Sequence, residues 1–487
     1  MALHPVKRAT GRLGLALSAA LAASAAAAAG PAGDDPDARM RAALDAYAPR
    51  LAEVADELWR WAEVGYRETR SSQRLQQELR EGGFEVEAGV AGMPTAFVAR
   101  AGRGGPVIAL LAEMDALPGA SQAVAAERRG VDGQAAGHAC GHNLFGAGSV
   151  AAAIAIRRWL LDSGTPGEVR VYGAPAEEGG AGKVYLVRAG LFDDVDAVLH
   201  WHPADANSAA QPASMANVSG RFRFEGVASH ASISPERGRS ALDGVEAFNH
   251  MANLLREHVP EGTRIHYTIS DGGGAPNVVP ASAEAYYYVR HPDPAVVREV
   301  FARLQRAAEG AALGTGTRVA YTPVGGVYGL LPNDTLGHVL DAALRADGGL
   351  ALGQAERGFA RALQGTLERA PPLAQVDTVA DYAVGGLSHA STDVGDVSWN
   401  APTAGLSTAT WAPGTGAHSW QATAASGHAL GHRGAQAAAR ALAAAAARLY
   451  REPALLAQAR REFEQRRGGD AYRPLLERDA PPLDYRD

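Results

Sequence analysis

The sequence predicts an α/β protein: a mostly parallel sheet covered by helices, interrupted by a second, smaller α+β unit of ferredoxin-like type. Two observations carry this. Short apolar runs of strand type alternate with longer helical stretches in the first part of the chain. Near Asn217 the texture changes, and the order strand-helix-strand-strand-helix-strand then spans about one hundred residues.

The elements follow in order. From Asp37 to Glu81 the pattern is helical, with Leu51, Val54, Leu58, Trp59 and Trp61 set among charges. Strand-like runs come at Phe97 to Ala99, Val107 to Leu111, Val169 to Tyr172 and Ala197 to Leu199. An alanine-rich helix over Leu144 to Leu161 separates the second from the third. In the smaller unit, Phe222 and Phe224 alternate with Arg221 and Arg223 as in a half-exposed strand. A helix over Ala241 to His258 leads to strands at Arg264 to Ile269 and Ala283 to Val289. A helix over Pro294 to Glu309 carries Val297, Val300, Phe301, Leu304 and Ala308 on one stripe, and Arg318 to Tyr321 closes the unit. The expected division is therefore 30–215 and 325–487 for the larger domain and 216–324 for the insertion.

The N-terminus reads differently. Lys7, Arg8 and Arg12 precede an apolar stretch from Leu13 to Ala28, with Ala-x-Ala sites before Gly30. That is the layout of a secretory signal peptide over residues 1–29, so a secreted or periplasmic chain with no membrane attachment after cleavage is expected. The alternative, a membrane anchor, has a short apolar core for a bilayer span. A net charge of -7 with no Lys/Arg block argues against a nucleic-acid partner. Cys140 is the single cysteine, which excludes an intramolecular disulfide. A lone thiol in an oxidising compartment calls for burial or a bound partner.

Four motifs carry chemistry. In Gly137-His138-Ala139-Cys140-Gly141-His142-Asn143, a thiolate and an imidazole two residues apart can reach one ion from a tight loop. A buried cysteine beside ordinary loop histidines is the plain alternative. In Ala174-Pro175-Ala176-Glu177-Glu178-Gly179-Gly180, adjacent carboxylates at a strand end point in different directions. One can bind metal while the other handles protons, although glutamates before glycines also make solvated turns. In Leu199-His200-Trp201-His202-Pro203, alternation puts both imidazoles on one face, so both can be ligands or one can be structural. Pro413-Gly414-Thr415-Gly416-Ala417-His418-Ser419-Trp420 delivers a histidine from far along the chain. Cys140, His142, Glu178, His202 and His418 together suit zinc, manganese or another first-row ion. They exceed one tetrahedral structural site and suit one or two divalent ions in an open hydrolytic centre. Asp115, at the end of another strand, is the natural supporting carboxylate or simply a strand-terminal turn.

These motifs resemble the aminoacylase/carboxypeptidase superfamily of co-catalytic metallopeptidases, in its amidohydrolase branch with a Cys-Gly-His pair. Cys140-Gly141-His142-Asn143-Leu144, Ser391-Thr392-Asp393-Val394-Gly395-Asp396-Val397-Ser398, Gly416-Ala417-His418-Ser419-Trp420-Gln421, Gly431-His432-Arg433-Gly434 and the tail around Tyr472 to Pro474 are similar to the subgroup acting on p-aminobenzoyl-glutamate. The resemblance covers essentially all of the chain after residue 29. It implies metal-dependent cleavage of N-acyl amino acids, with Glu177 as general base and Glu178, Cys140, His142 and His418 as ligands. It favours His202 as the remaining ligand, with His200 as the alternative, and makes Glu113 a neighbour of the site. The insertion would be a dimerisation or lid domain, giving a homodimer or a heteromer with a related subunit. Within it the resemblance assigns His230 to the tetrahedral oxyanion, across to the partner subunit. It puts Asn277 and Arg290 near the substrate, Arg290 forking onto a carboxylate or forming a strand-end salt bridge. A dipeptidase or aminopeptidase on the same scaffold, and a non-catalytic exported binding protein, are the other readings.

Overall fold

The computed structural model describes residues 35–469 and 471–486; the expected signal peptide lies outside them. The helical stretch from Asp37 to Glu81 is two helices, α1 (Pro36–Trp61) and α2 (Thr69–Glu81). Asp35 caps α1 by accepting from Asp37 N–H, and Pro36 supplies the fixed φ of a first helical residue. The helix stops at Ala62, which turns left-handed at φ 43°. Glu63 then accepts from the N–H of Ser71, satisfying a donor in the first turn of α2.

The larger sheet contains β1 (Glu85–Ala88), β2 (Phe97–Arg103) and β3 (Val107–Glu113). A small ribbon of β4 (Leu117–Pro118) and β5 (Ala136–Gly137) follows, then α3 (His142–Ser163). Next come β6 (Gly167–Ala174), α4 (Gly182–Arg188) and β7 (Ala197–Ala204). The strand order is β1-β2-β6-β3-β7-β12, where β12 (Thr403–Ala409) joins from beyond the insertion. β6, β3, β7 and β12 run parallel, whereas β2 is antiparallel to β6. The central strands are buried on both faces, hence their unbroken apolar runs. Helix α3 is long and apolar enough to cross a membrane, but 78% of that stretch is buried inside the protein against the sheet and its neighbouring helices.

The insertion is a four-stranded antiparallel sheet of β8 (Ala216–Glu225), β9 (Arg264–Asp271), β10 (Ser282–His291) and β11 (Arg318–Val327), ordered β11-β8-β10-β9. Helices α5 (Ala241–Leu255) and α6 (Pro294–Thr315) cover one face, where Phe222, Phe248, Tyr287, Val300 and Phe301 form a separate core. This is the ferredoxin-like order, with β9 as a free edge. The opposite face looks toward the larger domain. The chain then returns through α7 (Asp334–Asp347), α8 (Gln354–Gln364), α9 (Val394–Ser398), β12, α10 (Trp420–Ser426), α11 (Ala429–Arg451) and α12 (Pro453–Arg467).

Candidate metal centre and active-site cleft

The chemical residues gather outside the carboxyl ends of the parallel strands, where open α/β sheets place their sites. Glu113 ends β3, Glu177 and Glu178 follow β6, His202 lies near the end of β7, and His418 comes from the loop after β12. Cys140 and His142 join them from the turn before α3. Gly141 makes that turn possible at φ 75°, and its backbone lies against Pro203, the residue after His202.

The donor atoms form three overlapping groups, each within 4.8 Å: Cys140, His142 and His202; Cys140, Glu178 and His418; Glu113, His142 and Glu177. Cys140 Sγ stands 3.5 Å from His202 Nε2. The other nitrogen of His202 contacts the Pro203 carbonyl at 2.7 Å, so an Nδ1–H donated there leaves Nε2 as the free donor atom. His142 Nδ1 meets Asp115 Oδ1 at 2.9 Å, which turns Nε2 into the cluster in the same way. The second Asp115 oxygen accepts from Glu178 N–H at 2.9 Å, so one buried carboxylate fixes two members of the set. His418 is held at φ 62° while its N–H donates to Ala139 O, beside Cys140. Its Nε2 stands 3.1 Å from Glu178 Oε1.

The donor set fits divalent cations. His142 Nε2 and Glu113 Oε2 stand 3.0 Å apart without the alignment of a hydrogen bond. Neither atom has another partner, and Glu178 Oε1 is buried in the same condition, which is costly unless something else satisfies them. Burial opposes ionisation of the Cys140 thiol, but the His202 and His142 charges outweigh it and hold the thiol well below its usual range. The nearby Cys140 and Glu178 groups raise His418 to about 10 against its partial burial. Glu177 is pushed well above the usual carboxylate range by burial, then by the charges of Glu113, Glu178 and Asp393, with Lys183 opposing.

The two histidines of β7 have different surroundings. His202 is in the cluster, whereas His200 packs against Gly405 of β12, where a β-carbon would stand 2.3 Å from its ring. Burial pushes His200 down to about 4, keeping it neutral. The cluster also includes residues that sequence reasoning passed over. Glu113, expected only as a neighbour, shares a donor group with His142 and Glu177. Fully buried Lys183 bridges Glu113 at 2.6 Å and Asp393 at 2.7 Å. Glu68 accepts from Ala176 N–H, in the turn before Glu177, and is raised to about 8 by burial and then by Asp115. Besides Glu113, only the Asp393 position had a signal, inside Ser391-Thr392-Asp393; a lysine just beyond a glycine-rich loop has none.

A cleft of about 400 Å³ lies between the cluster and the open face of the smaller sheet. Glu177, Glu178 and His418 line one wall, and Asn217, Ser219, Tyr288 and Arg290 the other. Arg486 of the C-terminal tail completes it, and both Tyr485 and Arg486 bond to the Glu178 carbonyl. Arg290 thus lines this cleft, and its Nη1 also reaches Ser391 Oγ at 3.4 Å.

His230 and Asn277 do not line the cleft within one chain. They sit together on exposed loops, joined by a His230–Val278 bridge and an Ala231 N–H to Asn277 O bond. Strand β8 explains the separation. Asn217 lies at the cleft and Glu225 near these loops, about 26 Å away at ~3.3 Å per residue.

Comparison with known proteins agrees with this arrangement. Residues 214–315 match the M20 peptidase dimerisation domain. The chain is 38% identical over 467 residues to the B-type subunit of p-aminobenzoyl-glutamate hydrolase from Escherichia coli K12, covering 90% of this chain and 97% of that one. It is 33% identical over 318 residues to the Xaa-Arg dipeptidase of Mus musculus, covering 61% and 69%. The Bacillus subtilis YXEP protein, a dinuclear metal-binding peptidase of the M20 family, shares the fold at TM-score 0.55 and 20% identity, covering 84% of this chain and 99% of that one. The chain belongs to the M20 peptidase family and is a metal-dependent hydrolase of amide bonds.

Proposed function

We propose that this amidohydrolase cleaves N-acyl amino acids, p-aminobenzoyl-glutamate foremost, with Glu177 as its proton carrier. One observation carries the reading: the donor groups around Cys140 and His142 face, across a single cleft, an arginine without a carboxylate partner among the described residues, Arg290. Cys140, His142, Glu178, His202 and His418 would hold one or two divalent ions, zinc or manganese, with Glu113 at the second position. Bound there, the ions supply Lewis acidity to the scissile carbonyl and acidify a water.

The chain's own residues do the rest. Glu177, whose proton affinity is raised by burial and neighbouring carboxylates, takes a proton from the attacking water and returns it to the leaving amine. Asp115 keeps His142 and Glu178 in position. Arg290 holds the substrate carboxylate, and His230 from a second subunit, with Asn277 beside it, meets the oxyanion. The dimerisation domain and the likeness to a hydrolase subunit support an assembly of two such chains, identical or related.

The dipeptidase reading needs an acidic group free to receive a substrate amine. Asp393, an acid that lines the cleft beside the cluster, is engaged by Lys183 through both oxygens, which favours N-acyl substrates. Hydrolysis of p-aminobenzoyl-glutamate and other N-acyl amino acids, beside free-amine dipeptides and with or without chelator, tests this. Chelator-sensitive release of glutamate is expected; activity confined to dipeptides overturns it. We also propose an exported protein, on the basic and apolar layout of residues 1–29; a mature N-terminus near residue 30 in an extracytoplasmic fraction is the check.

A further inference from the structure

Beyond Arg290, on the side away from the metal ligands, lies a second chamber of about 410 Å³ lined by Met215, Arg264, His266, Tyr288, Arg290 and His389. It shares Tyr288 and Arg290 with the catalytic cleft, and the loop that gives His389 to one chamber gives Ala390 and Ser391 to the other. Strand register explains the layout. On the open face of the smaller sheet, Asn217, Arg290 and Arg264 are cross-strand neighbours, as are Ser219, Tyr288 and His266. Arg290 and Tyr288 on β10 thus stand between the polar wall of the cleft on β8 and a basic pair on the edge strand β9.

The second chamber is cationic with no acidic side chain in its lining. Among the described residues neither Arg264 nor Arg290 has a salt bridge, and Arg290 Nε is buried without a partner. Burial and then the positive charges of Arg290, Arg256 and Arg264 depress His266, as expected for a site with a net positive field. An arginine whose Nε is unpaired and whose Nη1 makes only a long 3.4 Å contact with Ser391 Oγ, beside a second arginine and two imidazoles, is a receptor for a carboxylate.

The geometry points to a side-chain carboxylate subsite formed by Arg264, His266 and His389, which sets the preference for an acidic over an amide side chain. This rests on the amidohydrolase reading above and deepens it. Arg290, shared by both chambers, takes the α-carboxylate; the side chain extends past it toward β9, where Arg264 and the two histidines take the second carboxylate.

The test compares kcat/KM for p-aminobenzoyl-glutamate and p-aminobenzoyl-glutamine, which differ only in that second carboxylate, in the full-length enzyme with its metal. The wild type is expected to favour glutamate by about tenfold or more, since the amide leaves cationic donors unpaired. In the Arg264→Met, His266→Gln double variant the ratio should fall to near unity, chiefly through KM for glutamate. His389→Ala, on the opposite wall, should lower the ratio independently. A wild-type ratio near unity, or a ratio unaltered in both variants, overturns the subsite while leaving the amidohydrolase reading intact. Loss of both activities in equal proportion with a change in oligomeric mass assigns these residues to the subunit interface and overturns it too. Hydrolysis of neither compound by the wild type removes the substrate reading itself, and the subsite with it.

Discussion

Gly141 lies so close to Pro203 that a β-carbon on residue 141 would stand 2.7 Å from Pro203 Cβ. The same glycine sits at φ 75°, where a side chain adds about 1–2 kcal/mol of strain. Cys140 and His202 thus meet only because the two turns that carry them are pressed together. Gly141→Ala should separate them, weakening metal binding by an order of magnitude or more at a modest loss of melting temperature. Metal titration followed by calorimetry checks this; unaltered affinity would show that the turn tolerates the methyl.

Glu177 has a different place in the cluster from Glu178. Glu178 shares a donor group with Cys140 and His418, whereas Glu177 shares one with Glu113 and His142, and both line the cleft. Glu177→Gln should cost about 100-fold or more in kcat, the range of a lost general base, with metal content intact. Glu178→Gln should instead lower metal occupancy. Metal analysis beside turnover separates the two, and equal loss of metal in both variants would sink the division of roles.

Much of this was legible in the sequence, for physical reasons that also set the limits. Cys140, His142, Glu178, His202 and His418, whose donor atoms the fold brings together, could be picked out because they sit in turns shaped by glycines and prolines. The choice between His200 and His202 could not be made from alternation, since both point to one face; it depends on Gly405 of a strand two hundred residues later, which receives the His200 ring. Lys183 left no mark because its role exists only through Glu113 and Asp393, brought together by folding. Nor could spacing reveal that His230 lies a full strand length from the cleft of its own chain. The single helical pattern over Asp37 to Glu81 concealed a break at Ala62, where a tertiary contact overrides good helix propensity.

Lys183 is a buried cation between two buried carboxylates, and burial would discharge it were the charges of Asp393 and Glu113 not there to hold its proton. Lys183→Met leaves both acids uncompensated beside Glu177. Removing one partner of a buried ionic group typically costs about 3–5 kcal/mol. A fall in melting temperature is expected, partly reversed by adding Asp393→Asn. If the double variant melted no higher than the single, the loss would lie in packing and not in charge.

Asp396 gives the stability a pH dependence that can be isolated. Its carboxyl is buried, accepting from Tyr472 Oη at 2.6 Å and Tyr328 N–H at 3.0 Å. Burial raises it to about 7, against an ordinary value of 3.8, and these hydrogen bonds only moderate the shift. Between those values the folded chain binds a proton that the unfolded chain has released. The contribution is therefore fully present below pH 3.8 and is lost as pH rises through about 7. The span corresponds to about 4 kcal/mol at 1.36 kcal/mol per pH unit. Asp396→Asn, which cannot ionise, should lower stability at acid pH through one misplaced hydrogen bond but flatten the decline between pH 5 and 8. Denaturant midpoints at pH 5, 6, 7 and 8 for both proteins measure it. Parallel slopes would mean that Asp396 is already ionised in the folded protein at pH 5, with Tyr472 and Tyr328 stabilising the charge against its burial.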